Sequence, residues 1–130
     1  MSTLNIEKWD EYLREIGHIE LLTCEEELEL AGQIHNGDNA ALEKLTQANL
    51  RFVVALAAQY VTKDASGEQR IQELKELTAV GNKALELAAK KYYTATEEPF
   101  AKFAVPFIRE AIEKQEYHTY DKKRPIYTRQ

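Results

Sequence analysis

The sequence predicts an all-α fold, a compact bundle of about five helices. Apolar residues recur at intervals of three or four along most of the chain. Residues typical of helix caps and stops separate these stretches, and no stretch shows the alternating pattern of a strand. The chain has 130 residues, which is enough for one domain with its own core. We therefore expect one helical domain over residues 1–116 and a basic, aromatic tail over residues 117–130.

The first two predicted helices form a pair. The first has one apolar face and is ended by Gly17; that face is made of Ile6, Trp9, Leu13 and Ile16. The second begins after Thr23, whose hydroxyl can accept a hydrogen bond from the backbone N–H of Glu26 while the Glu26 side chain reaches back. Its apolar face comprises Leu28, Ala31 and Ile34. Asn36 and Gly37 predict its end, because glycine takes the left-handed conformation at no steric cost.

The third predicted helix has the widest apolar stripe, and Asp38 is placed to cap it. We expect one continuous helix with a stripe packed on two sides, made of Leu42, Leu45, Asn49, Phe52, Val53, Leu56 and Tyr60. This helix should be the central element of the bundle, antiparallel to the fourth helix, with the first pair lying across both.

The fourth predicted helix follows a polar loop over residues 62–67. Its stripe consists of Ile71, Leu74, Leu77, Gly81, Leu85, Ala88 and Tyr92. A glycine inside a helix costs about 1 kcal/mol relative to alanine. Gly81 therefore predicts either close helix packing or a partner that needs the missing side chain.

The fifth predicted stripe consists of Phe100, Phe103, Phe107, Ile108, Ala111 and Ile112. Pro106 interrupts it, so this helix should kink or begin near the proline. The spacing favours a core position for Phe100 and Ile108, and it leaves Phe103 and Phe107 between the core and an exposed, ligand-binding position. The tail that follows lacks apolar periodicity, and we expect it to be extended or disordered unless something binds it. It is either a solvated end or, because tyrosines alternate with basic residues there, a nucleic-acid contact.

Composition argues against several functions. The net charge is -5, and Cys24 is the single cysteine, so no internal disulfide can form and a reducing cytosol is favoured. No stretch approaches the ~20 apolar residues of a membrane span. The histidines lie in separate segments without ligand spacing, and no nucleophile with a base is present, so we expect no enzyme, no metal and no cofactor. Glu25, Glu26 and Glu27 favour either a partner-facing patch or simple stabilisation by the helix dipole.

Several motifs carry a resemblance to a known family. They are Tyr12 to Gly17 (YLREIG), Leu21 to Thr23, Glu25 to Glu27, Ala48 to Val54 (ANLRFVV), Glu76 and Leu77, Gly81 and Asn82, and Ile108 to Ile112 (IREAI). Together they resemble domain two of primary-type sigma-70 factors of bacterial RNA polymerase, including the preceding helix pair. The resemblance extends over about 100 of the 130 residues.

The resemblance implies a polymerase-binding surface. In the family, the helix with the Gly-Asn pair docks on a coiled coil of the RNA polymerase clamp. The corresponding residues here are Asn49, Arg51, Glu76 and Asn82. Ala79 and Val80 replace a polar Gln-Glu pair of the family, so part of that surface is apolar in this chain.

The resemblance also implies contact with promoter DNA, on the nontemplate strand of a single-stranded AT-rich element. The corresponding residues are Phe103, Phe107 and Arg109, with basic support from Lys102, Lys122, Lys123 and Arg124. Phe103 stands where the family has a base-stacking tyrosine and keeps the aromatic face that stacking requires. Pro106 and Phe107 stand where the family has two tryptophans. Glu110 replaces a base-reading glutamine, and Glu113 adds a second carboxylate where phosphates favour Lys and Arg.

Two functions follow as hypotheses. The first is a sigma-like transcription initiation domain that binds the polymerase clamp and the nontemplate strand, with an anti-sigma protein as a further candidate partner. The alternative is a protein interaction module, such as a decoy, regulator or accessory subunit, that keeps the scaffold without opening DNA. This alternative is motivated by Pro106, by Glu110 and by the net negative charge of the chain. The chain ends before the later domains of the family, so we do not expect a complete sigma factor, and it could be a fragment of a longer one.

Overall fold

The fold is all-α in the computed structural model, which describes residues 5–92 and 98–123, with side chains to residue 115. No strand occurs among these residues. None of the helices formed by them has the length and apolar character that a bilayer crossing requires. The described helices are α1 (Trp9–Gly17), α2 (Cys24–His35), α3 (Asn39–Gln47), α4 (Leu50–Ala58), α5 (Gly67–Lys91) and α6 (Phe100–Lys123).

Helix α1 buries a slightly different face from the predicted one. Trp9, Tyr12 and Ile16 are buried, whereas Leu13, which was predicted to share the apolar face, is 38% exposed. Both Tyr12 and Leu13 fit the helical spacing, and tertiary contacts decide between them. The Tyr12 ring stacks on Trp9 at a centroid distance of 5.6 Å. Its hydroxyl also accepts a hydrogen bond from Asn82, which a leucine could not do.

Helix α2 begins and ends as predicted. The backbone N–H of Glu26 donates to the Thr23 hydroxyl at 3.1 Å, and the Thr23 N–H donates to Glu26 Oε1 at 2.9 Å. This reciprocal capping box satisfies two backbone donors at the helix start. Gly37 follows the helix with a φ of 91°, a left-handed conformation that residues with a side chain rarely adopt.

The predicted third helix is two helices, α3 and α4, because the helical hydrogen-bond pattern is interrupted at Asn49. In a continuous helix the Asn49 N–H would donate to the carbonyl of Leu45. The Asn49 side-chain Nδ2 takes that carbonyl at 2.9 Å, and the backbone N–H donates to Thr46 O instead. Asparagine side chains compete with the helical backbone in this way. The prediction of one continuous helix is therefore wrong.

Helices α5 and α6 form the largest helix–helix contact in the described part of the chain. A Cβ atom built on Gly81 would lie 2.7 Å from Val53 Cγ1 of α4 and 3.4 Å from Ile108 Cγ2 of α6. Close packing of three helices therefore explains this glycine. The fully buried residues of this core include Val53, Leu85, Phe100, Ile108 and Ile112, which confirms the core positions of Phe100 and Ile108.

Helix α6 differs in part from its prediction. It begins at Phe100, so of the two predicted possibilities a start near Pro106 is wrong, and the proline lies inside the helix. At the other end it continues to Lys123, and the expectation of an extended or disordered tail is wrong for residues 117–123. Residues 124–130 of the predicted tail lie outside the described residues. The domain boundary at residue 116 stays a prediction.

The start of α6 is held by a side chain from α2. Glu27 Oε1 accepts a hydrogen bond of 3.1 Å from the backbone N–H of Phe100. The first N–H groups of a helix have no intrahelical acceptor, and a carboxylate there also interacts favourably with the helix dipole. Glu27 thus fixes α6 to α2, a role that is distinct from the two readings of the acidic run.

We expect Glu27→Ala to lower the free energy of unfolding by about 1 kcal/mol, the usual cost of a lost helix cap. Glu25→Ala is the matched control, because Glu25 lies in the same first turn of α2 and is exposed. Urea denaturation followed by circular dichroism measures both variants. Equal losses would show that only the dipole of α2 matters and that the contact with α6 contributes nothing.

Candidate functional site

Asn82 lines a groove of about 390 Å³ between α1, α3 and α5. Its Nδ2 donates to the Tyr12 hydroxyl at 3.0 Å. Burial raises the pKa of Tyr12, and the hydrogen bond from Asn82 opposes that shift. Asn82 Oδ1 is buried and has no hydrogen-bond partner within the described part of the protein. The residue is half-buried, and its amide nitrogen is already engaged by Tyr12.

Asn49 does not share this groove. The groove is lined by Thr46 and Leu50, which flank Asn49 in the sequence, while the Asn49 side chain turns back to Leu45 O. The Asn49 and Asn82 segments are therefore neighbours, but their two side chains have separate partners. The position of Asn49 at the break between α3 and α4 gives its side chain a structural role.

The other two predicted polymerase contacts are exposed. Arg51 Nη2 donates to the carbonyl of Ile19 at 2.9 Å, which ties α4 to the loop after α1. Glu76 accepts from Gln72 Nε2 at 3.1 Å on the surface of α5. Glu76 and Asn82 point about 120° apart around that helix, given 3.6 residues per turn. The four predicted residues therefore do not form one cluster.

An exposed stripe along α5 was recognised only in part from the sequence, which named Glu76 and Ala79 without placing them on one face. It contains Glu76, Ala79, Lys83 and Leu87, and Leu87 is 49% exposed. These positions recur at three and four residues, so they share one side of the helix. The sequence pattern could have indicated this stripe, because its residues lie on the polar side of α5, opposite the apolar stripe. Comparison with the family motif instead drew attention to Asn82, which lies beside α1.

Phe103 and Phe107 form the exposed edge of an aromatic row. Phe103 lies 5.3 Å from Tyr92 and 5.4 Å from Phe107 between ring centroids, and Tyr92 meets Phe100 edge-on at 5.1 Å. Both Phe103 and Phe107 are half-buried. They are thus anchored to the core through Tyr92 and Phe100 and still present part of their surface to solvent.

Arg109 lies on another side of α6. Residues two apart on a helix do not face each other, so Arg109 cannot lie beside Phe107. Its Nη1 donates to the Tyr60 hydroxyl at 2.9 Å and its Nη2 donates to Gln59 Oε1 at 3.2 Å. Lys102 is exposed and lies two turns before Arg109 on the same side. The predicted DNA contacts are therefore split between two sides of α6.

The remaining predicted basic contacts lie at the end of the chain. Lys122 and Lys123 belong to the last turn of α6, and their side chains are outside the described set. Arg124 lies outside the described residues. Within the described residues no group of three His, Cys, Asp or Glu side chains is arranged to hold a metal ion.

Tyr60, two residues after the last residue of α4, joins the C-terminal end of that helix to α6 beside Arg109. It is 6% exposed, and its hydroxyl donates to Glu113 Oε2 at 2.8 Å. Burial and the Glu113 carboxylate raise the pKa of Tyr60, and the nearby Arg109 guanidinium opposes this shift. No local pattern in the sequence indicated this network, because its members come from helices far apart in the chain.

Comparison with known proteins identifies relatives. Residues 12–40, which include most of α1 and all of α2, match the family described as Sigma-70 factor, region 1.2. The RNA polymerase sigma factor SigA of Clostridium acetobutylicum is 42% identical over 101 residues, which is 78% of this chain and 25% of that protein. The chain thus spans about a quarter of the length of this curated relative. Over the matched residues, the chain belongs to the primary-type sigma-70 family.

Proposed function

We propose that this chain is a cytoplasmic, non-catalytic sigma-type transcription initiation domain that binds RNA polymerase core through α4 and α5 and promoter DNA through α6. The 42% identity with a primary sigma factor carries the proposal. The contact on polymerase is the coiled coil of the clamp, and the DNA ligand is the single-stranded AT-rich nontemplate strand.

The exposed stripe of α5 supports the polymerase contact. Glu76 and Lys83 offer charges of both signs, and Leu87 adds an apolar side chain that is 49% exposed. An apolar residue framed by charges is the usual composition of a protein interface, with the apolar part buried on binding and the charges at the rim. Asn82 and Asn49 contribute by shaping the helices rather than by direct contact.

The partly exposed aromatic row supports the DNA contact. Phe103 and Phe107 each present part of a ring to solvent, and an unpaired base can stack on such a ring with a gain of about 1 to 3 kcal/mol. The rings are fixed by Tyr92 and Phe100, so little side-chain entropy is lost on binding.

A pull-down with bacterial core RNA polymerase tests the proposal. The tagged chain should retain the core enzyme, and Glu76→Lys should weaken retention about tenfold, equivalent to ~1.4 kcal/mol. Glu29→Lys is the matched control, because Glu29 is also exposed and lies on α2. Failure of the unmodified chain to retain the enzyme would refute the proposal, and equal effects of the two charge reversals would remove the α5 stripe from it.

A second candidate is an interaction module that binds polymerase without opening DNA. It is favoured by the two exposed carboxylates of α6, Glu110 and Glu113, and by the attachment of Arg109 to α4. Retention of polymerase without any affinity for a single-stranded AT-rich oligonucleotide would support this candidate over the first.

A further inference from the structure

The contact between α4 and α6 contains a small polar network of Gln59, Tyr60, Arg109 and Glu113. We propose that Glu113 is an internal competitor of nucleic-acid phosphate: through the Tyr60 hydroxyl it holds Arg109 at the C-terminal end of α4 and withholds it from a phosphate on the α6 side. This inference rests on the proposed function, since it assumes that α6 faces nucleic acid.

Both terminal nitrogens of Arg109 are engaged by the two residues that follow α4. Nη1 donates to the Tyr60 hydroxyl at 2.9 Å, and Nη2 donates to Gln59 Oε1 at 3.2 Å. The guanidinium carbon also lies 5.9 Å from the centre of the Tyr60 ring, within range of a cation–π contact. Two hydrogen bonds and a ring contact fix the planar group in one orientation.

The Tyr60 hydroxyl couples Arg109 to Glu113. It has one hydrogen to donate, and that hydrogen is directed to Glu113 Oε2 at 2.8 Å. Its oxygen then presents a lone pair to Arg109 Nη1. A carboxylate acceptor polarises the hydroxyl and strengthens the bond that the same oxygen accepts. The hold on Arg109 thus depends on the charge of Glu113.

A phosphate would compete with this network for the Arg109 guanidinium. Guanidinium forks bind carboxylate and phosphate oxygens with the same donors. A phosphate that approached Arg109 would have to break its bonds to α4 and come close to the exposed Glu113 carboxylate, one turn away on the same side of α6. The sequence predicted a free basic contact at Arg109 and separate repulsion from Glu113, whereas the structure couples the two.

Binding of a labelled single-stranded AT-rich oligonucleotide, measured by fluorescence anisotropy at several salt concentrations, tests the inference. Glu113→Gln should tighten binding about three- to tenfold and steepen the dependence of log K on log salt by about 0.7, the value for one more phosphate on a single strand. Glu110→Gln is the matched control, because Glu110 is exposed, pairs with Lys114 at 3.7 Å and removes the same charge from α6. It should leave the salt slope unchanged.

Arg109→Ala, alone and combined with Glu113→Gln, completes a double-mutant cycle. Alone it should change affinity less than about twofold, and combined with Glu113→Gln it should abolish the gain. A gain that persists without Arg109, equal effects of the two Glu→Gln variants, or no oligonucleotide binding by any variant would each overturn the inference.

A readout without DNA tests the same coupling. Glu113→Gln should lower the pKa of Tyr60 and Arg109→Ala should raise it, because the carboxylate and the guanidinium act on that hydroxyl in opposite directions. NMR of tyrosine-labelled protein, assigned with Tyr60→Phe, measures this pKa; an unchanged value in both variants would overturn the coupling. If the chain does not retain polymerase but the Arg109 and Glu113 variants behave as expected, the proposed function alone is refuted. If the chain retains polymerase but these variants do not behave as expected, only the inference is refuted.

Discussion

Replacing Phe100 by alanine is expected to lower the free energy of unfolding by about 3 to 5 kcal/mol, the range for a buried phenylalanine whose removal leaves a cavity. Phe100 is 0% exposed, packs edge-on against Tyr92 at 5.1 Å, and starts helix α6. Its loss therefore removes the anchor of α6 as well as buried apolar area. Urea denaturation followed by circular dichroism measures the change.

Phe107→Ala is the control on the same helix. Phe107 is half-buried and contacts Phe103 at 5.4 Å, so truncation should cost clearly less stability than at Phe100. Under the proposed function, Phe107→Ala should instead weaken oligonucleotide binding by about 1 to 3 kcal/mol for one lost base stack. Equal stability losses at the two positions, with no change in oligonucleotide binding, would assign both rings to the core.

Features set by neighbouring residues could be predicted from the sequence. The capping box of Thr23 and Glu26 and the left-handed Gly37 both depend on atoms within four residues of one another, and both are present. The sequence also indicated that Gly81 has a reason, either close packing or a partner, because a helical glycine carries a known cost. That cost alone could not predict which side chains, Val53 and Ile108, pack against Gly81.

Features set by contacts between distant helices could not be predicted in this way. The break at Asn49 is a local feature that was nevertheless missed, because the stripe from Leu42 to Tyr60 fits a single helix and the Asn49 side chain could equally have pointed to solvent instead of bonding the carbonyl of Leu45. The cap that Glu27 places on α6 joins residues 73 positions apart. The same limit applies to the site, since a resemblance identified Arg109 but could not show its attachment to Tyr60.

Gly81→Ala is expected to destabilise the protein although alanine is the better helix former. Helix propensity favours alanine by about 1 kcal/mol, but the new Cβ would lie 2.7 Å from Val53 Cγ1. Val53 is 0% exposed and β-branched, so it has no other well-packed position to take. Overpacking costs about 1 to 3 kcal/mol, so after the gain in helix propensity we expect a net loss of up to about 2 kcal/mol. Gly67→Ala, where nothing lies within 4 Å of the added atom, should be neutral or stabilising.

A second substitution at Val53 identifies the cause. Val53→Ala alone should destabilise, because it leaves a cavity between α4 and α5. In that background Gly81→Ala should become neutral or stabilising, since the added methyl group enters the space that the valine has left and keeps its gain in helix propensity. Thermal unfolding of the four proteins measures this interaction energy. If Gly81→Ala were equally destabilising in both backgrounds, the close approach of Val53 would not be the reason for glycine at this position.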